Sequence, residues 1–136
     1  MKHKVSDLSG ALLDAAVAKA EGLQFAVWTE AESPLGRITT VAWPPHHART
    51  KSAAEEFEPS TDWAAAGPII ERERIATMVL EGKWRAVLPG AQDYDPDDWN
   101  FETTANVVNA TGNTLLIAAM RAYVVSKFGE EVELPC

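Results

Sequence analysis

Leu8, Leu12, Ala15 and Ala16 recur at three- and four-residue spacing, and Leu13, Val17 and Ala20 widen that stripe on one flank. This is the period of a helix with one apolar face. Ser6 and Asp7 stand where a capping oxygen and a first-turn acid favour a helix start, and Gly22 is a natural left-handed stop. The spacing therefore predicts a helix over about 7–21. A second stripe, Leu115, Leu116, Ala119, Met120, Tyr123, Val124 and Phe128, predicts another over 115–128. Thr114 or Asn113 caps it, Lys127 complements its last turn and Gly129 ends it.

Between the stripes the pattern is that of strands. Leu23–Thr29 carries Phe25, Val27 and Trp28, and Gly36–Trp43 carries Ile38, Thr39, Thr40 and Val41. Pro44-Pro45 stops the second, because proline has no N–H for a ladder. Thr77–Leu80 and Lys83–Leu88 flank Glu81-Gly82, the clearest hairpin signal in the chain, and set Val79 near-opposite Trp84. Ile69 to Arg74, where glutamate and arginine alternate, reads as a strand or extended piece. Asn106–Ala110 reads as a short strand closed by Gly112-Asn113. Together these elements predict an α+β fold, one globular domain over 1–136. Its mainly antiparallel sheet carries both principal helices on one face, with irregular loops at about 44–59 and 89–102. A chain of 136 residues is long enough for one core and too short for two ordinary domains.

Charge narrows the partners. The net charge is −8, from 12 Lys and Arg against 20 Asp and Glu. Residues 91–136 alone hold two bases and eight acids. No Lys/Arg cluster forms a footprint that would track phosphates, so direct nucleic-acid binding is not expected. Cys136 is the lone cysteine, and neither a signal-peptide pattern nor an apolar run long enough to cross a bilayer occurs. The expectation is a cytoplasmic protein that does not engage membranes.

The segment Pro59–Glu73 is the preferred site. Thr61 and Asp62 are placed to cap a helical turn ending at Gly67, Trp63 offers a flat apolar wall, and Gly67-Pro68 turns the chain toward Glu71 and Arg74. Apolar walls with a few fixed polar groups are what a small-ligand site requires. Trp43 and Trp99, beside proline- and aspartate-rich loops, are candidate interaction anchors. Asp93, Asp95 and Asp97 occupy alternate positions as in a calcium loop, but Asp98 stands where glycine is needed and Thr104 where glutamate is needed. Adjacent histidines such as His46 and His47 project in different directions, and Cys136 is remote from them in sequence. No metal, cofactor or catalytic residue is therefore expected, and no nucleophile sits beside a base.

Three segments carry a family resemblance. They are Val5-Ser6-Asp7-Leu8-Ser9-Gly10-Ala11-Leu12-Leu13-Asp14 with Ala18-Lys19-Ala20-Glu21-Gly22; Pro59-Ser60-Thr61-Asp62-Trp63 with Gly67-Pro68-Ile69-Ile70-Glu71-Arg72-Glu73; and Leu116-Ile117-Ala118-Ala119-Met120-Arg121-Ala122-Tyr123-Val124 with Ser126-Lys127-Phe128-Gly129. The chain resembles the NinX-like family of small bacteriophage and prophage proteins of unknown function. Members of that family often carry a second glycine where Ala66 stands, which would matter if the turn there cradled an anion. The resemblance implies a phage accessory protein made inside a bacterial host and transfers no catalytic role. The leading expectation is a non-enzymatic protein that binds a host or phage protein, or its own copy. The alternative is a small-molecule or nucleotide-binding module, with hydrolytic chemistry as an option, built on residues 61–74.

Overall fold

Helices α1 (Gly10–Ala20), α2 (Trp63–Glu73) and α3 (Leu115–Phe128) form the α part of the computed structural model, which describes residues 1–88 and 108–135. Its strands are β1 (Lys2–Lys4), β2 (Gln24–Trp28), β3 (Thr39–Trp43), β4 (Glu55–Glu56), β5 (Ala76–Leu80), β6 (Lys83–Leu88), β7 (Val108–Gly112) and β8 (Glu131–Glu133). The fold is α+β, as expected, but the strands divide into three antiparallel sheets rather than one: β1-β8, β2-β3-β4 and β5-β6-β7. Helix α1 lies on β2 and β3, α3 lies on β5, β6 and β7, and the two helices pack against each other. An apolar stripe requires a covering layer without naming which one, so a shared sheet and two separate sheets read alike in sequence.

The first helix starts later than its pattern suggests. Val5–Asp7 forms a separate 3-10 turn, Leu8 is extended and buried, and Gly10 opens α1 at φ 55, a conformation glycine adopts without strain. Ser6 and Asp7 therefore do not cap α1; Ser9 precedes it without a side-chain cap bond. Gly22 does stop it at φ 72. The N–H of Gly22 donates to the Lys19 carbonyl and that of Leu23 to the Ala18 carbonyl, which satisfies the last turn. Leu13 through Ala18 are all buried, so α1 is covered on every side, and Asp14 goes inside with its neighbours.

The hairpin has the expected register. Val79 pairs with Trp84 and Leu80 with Lys83, while Glu81 and Gly82 both take positive φ, as a two-residue turn between twisted strands demands. Strand β3 is wholly buried. Its polar members are satisfied there: Thr40 Oγ1 donates to the Ala11 carbonyl (2.6 Å) and Thr39 Oγ1 to the Arg37 carbonyl (3.0 Å). The stretch expected as irregular over 44–59 contributes a 3-10 turn at Lys51–Ala53 and β4, which pairs with β3. The predicted loop at 89–102 lies outside the described residues.

Thr114 caps α3 as predicted, its side-chain oxygen accepting the Ile117 N–H (3.2 Å). Just before it, Gly112 lies so close to the helix that a Cβ would sit 2.7 Å from Ala118 N and 2.8 Å from Ile117 Cγ2. Gly112→Ala is therefore expected to lower stability by about 2 kcal/mol through overpacking, read from the urea midpoint. An unchanged midpoint would mean that β7 and α3 can separate at little cost.

Candidate functional site

The polypeptide from Glu58 to Trp63 is tied down from both sides. The Glu58 carbonyl accepts the N–H groups of Thr61 (3.0 Å) and Asp62 (2.8 Å), which closes a tight turn. On the outer side Arg37 grips the Glu58 carboxylate with both ends of its guanidinium, at 2.7 and 3.1 Å. On the inner side the Ser60 N–H donates to Asp14 Oδ1 at 2.8 Å. Burial pushes the Asp14 carboxyl up from 3.8 to about 6, with Glu58 adding to the rise and the bonds from Ser60 and the charge of Arg37 opposing it. The buried Ser60 hydroxyl completes no hydrogen bond of ordinary geometry among the described residues.

This turn launches α2. Asp62 Oδ1 accepts the Ala64 N–H at 3.0 Å, which is the cap the sequence predicted. Asp62→Ala is expected to cost about 1 kcal/mol of unfolding free energy, measurable by thermal or urea unfolding. A loss below a few tenths would show that water replaces the cap.

Beyond the cap the structure corrects the sequence reading. Trp63 to Glu73 is one helix, and the stretch from Ile69 is not extended. Pro68 lies inside it, costing one N–H bond. The alternation of glutamate and arginine suits either period, and burial of Ala66 and Ile69 on one side of a capped helix decided the outcome. Ala66 is accordingly part of a helix rather than an anion-cradling turn; its N–H donates to the Asp62 carbonyl. Arg74 closes the helix in the left-handed conformation (φ 56), and the Ile75 N–H bonds back to the Ile70 carbonyl (3.0 Å).

The five predicted site residues are thus brought onto one element but spread along it. Thr61, Asp62 and Trp63 are at its start, Glu71 and Arg74 at its end, and Trp63 and Arg74 stand about 16 Å apart by helical rise. All five are exposed, Trp63 to 57%. A model of the family described as bacteriophage P22 NinX matches residues 4–127. The chain belongs to the NinX family. No curated protein matches it.

Other polar residues of this NinX-family chain were not singled out by their sequence pattern. Arg72, between the two predicted charges, lies back against α1 and α3 while its side chain stays half exposed. Its Nη1 and Nη2 donate to both oxygens of Glu21 (3.1 and 2.8 Å), its Nε to Glu73 (3.0 Å), and Nη2 also to Tyr123 Oη (3.2 Å). Tyr123 in turn donates to Glu21 Oε2 at 2.8 Å. Burial and the adjacent Glu21 carboxylate push the Tyr123 phenol well above its ordinary range, so it remains a donor. The carboxylates likewise hold Arg72 charged. One polar cluster therefore joins the ends of α1 and α2 to the body of α3. Its trace in sequence is the tyrosine hydroxyl within an otherwise wholly apolar helix face.

Trp43 is not an exposed anchor. It is buried, its Nε1–H donates to the Thr50 carbonyl (2.8 Å), Arg49 stacks over its ring at 4.9 Å and Trp28 meets it edge-on at 6.5 Å. The proline pair that suggested exposure merely leads the next loop back over it. Phe128, predicted on the buried face of α3, is 37% exposed beneath the Lys19 ammonium, 5.3 Å from its ring centre. Trp99 and the acidic run at Asp93–Asp98 lie outside the described residues. Among the described residues no cluster of three or more His, Cys, Asp or Glu could hold a metal, and no helix is long and apolar enough to cross a membrane.

Proposed function

We propose that this NinX-family protein is a non-enzymatic phage accessory protein that acts inside the bacterial host by binding another protein through the outward face of α2. The observation that carries this reading is Trp63, a large aromatic left 57% exposed at the start of that helix. Exposed tryptophan is the residue type most enriched at interface hot spots. Behind it Ala64 and Pro68 are exposed and Gly67 half-exposed, so the face is uncharged for two turns before Glu71 and Arg74 form a polar end. Spread over some 16 Å, these groups suit an extended protein surface better than a small-molecule or nucleotide pocket.

Gly67 lies on the same face. Among the described residues nothing beyond its chain neighbours lies within 4 Å of where its Cβ would be, and its φ is not left-handed, but Pro68 follows it within α2 and crowds any Cβ placed before it in a helix.

The binding reading is tested by replacing Trp63 with a benzophenone amino acid and irradiating cells during infection. The expected result is a discrete protein adduct, absent when the benzophenone replaces the equally exposed Val79 and abolished by adding Gly67→Glu. No adduct at position 63, or one indifferent to Gly67→Glu, overturns the proposal. An adduct of twice the chain's mass would identify the partner as a second copy.

A further inference from the structure

Away from α2, the chain ends and β7 enclose a cleft of about 460 Å³ whose walls include Arg121 of α3. The Arg121 Nε–H donates to the Leu8 carbonyl and an Nη1–H to the Thr111 carbonyl, each at 2.9 Å. Both acceptors are neutral. No carboxylate lies within ion-pair distance of this partly buried guanidinium among the described residues. Burial lowers its pKa, against a smaller opposing pull from Asp7. Two of its five N–H donors are engaged. The remaining three are on Nη1 and Nη2, the end that grips a carboxylate with two parallel bonds.

The rest of the wall carries both signs of charge. Lys4, Glu130 and Glu131 line the cleft together with Ser6 and Asn109. None of these three charged side chains forms an ion pair among the described residues. Two cations face two anions, so a phosphate dianion gains little net attraction here, while a ligand carrying both charges meets a complement at each end. The volume is that of a small-molecule site.

We propose that this cleft binds a small zwitterion, its carboxylate on the free end of Arg121 and its ammonium toward Glu130 and Glu131. A free amino acid and a short peptide share that chemistry.

The full ¹⁵N-labelled chain is titrated at constant ionic strength with L-alanine, L-alanyl-L-alanine, acetate and inorganic phosphate, following the Arg121 Nε–H and the backbone amides of Ser6 and Asn109. Saturable shifts are expected with the zwitterions, at least about tenfold stronger than with acetate or phosphate. Equal affinity for alanine and the dipeptide assigns a free amino acid, and tighter dipeptide binding assigns a peptide. Arg121→Lys is expected to weaken binding at least tenfold. Glu131→Gln, which leaves both carbonyl bonds of Arg121 intact, is expected to weaken the zwitterions severalfold and acetate not at all. Absence of saturation, phosphate bound as tightly as the dipeptide, or zwitterion binding indifferent to Glu131→Gln overturns the proposal.

Discussion

Tyr123→Ala is expected to destabilise the protein by about 3–5 kcal/mol, the range for removing a large buried aromatic. Tyr123 is only 1% exposed and lies in the main core beside Met120 and Val124. Its ring also sits under two cations, Arg72 at 5.8 Å and Lys127 at 5.7 Å. Truncation leaves a cavity and strips Glu21 of its buried donor, while Arg72 and Glu21 retain their own two-point pair. Tyr123→Phe separates the two losses: it keeps the packing, removes the hydroxyl and is expected to cost about 1 kcal/mol. Urea unfolding of the two variants reads the difference. Equal, small losses would mean that the three helices hold together without this side chain.

Asp14→Asn is expected to stabilise the protein at neutral pH by about 3 kcal/mol, from a displacement of roughly two pH units at about 1.4 kcal/mol each. The folded carboxyl titrates at about 6 and the ordinary value is 3.8. Between those values the native chain holds a proton that the unfolded chain has released. Native stability therefore falls as pH rises from about 4 to 6, and above the folded value the full cost of a buried carboxylate is present. Asparagine is neutral throughout and keeps an oxygen to accept the Ser60 N–H. The variant should match the parent near pH 4 and exceed it near pH 7, as measured by urea unfolding at both. A difference that does not change with pH would show that the Asp14 carboxylate is solvated in the native state.

The part of this molecule that is legible in its sequence is the local part. The turn at Glu81-Gly82, the stop at Gly22, the Thr114 cap and the Asp62 cap are local: each depends on residues within a few positions of one another, and each was readable. Residues 69–74 were misread because two periods fit the same alternating charges, and only burial of Ala66 and Ile69 against the rest of the chain chose between them. Trp43 was misread because a nearby proline pair says where a strand ends and nothing about what folds over it. The candidate site was half legible. Its residue types and capping turn were visible, whereas their separation along a helix depended on that element being a helix.

The stripes of α1 and α3, the caps at Asp62 and Thr114, the hairpin register and membership of a phage protein family were inherent in the order of residues, the local features because short-range sterics and hydrogen bonding act between near neighbours. The division of the strands into three sheets was not. Nor was the burial of Asp14 beside Ser60, the gathering of Glu21, Arg72 and Tyr123 where three helices meet, or the placing of Arg121 between Leu8 and Thr111. Apart from the bond of Arg121 to Thr111, those pairings join residues dozens of positions apart, and they exist only once packing has chosen which apolar faces close on one another.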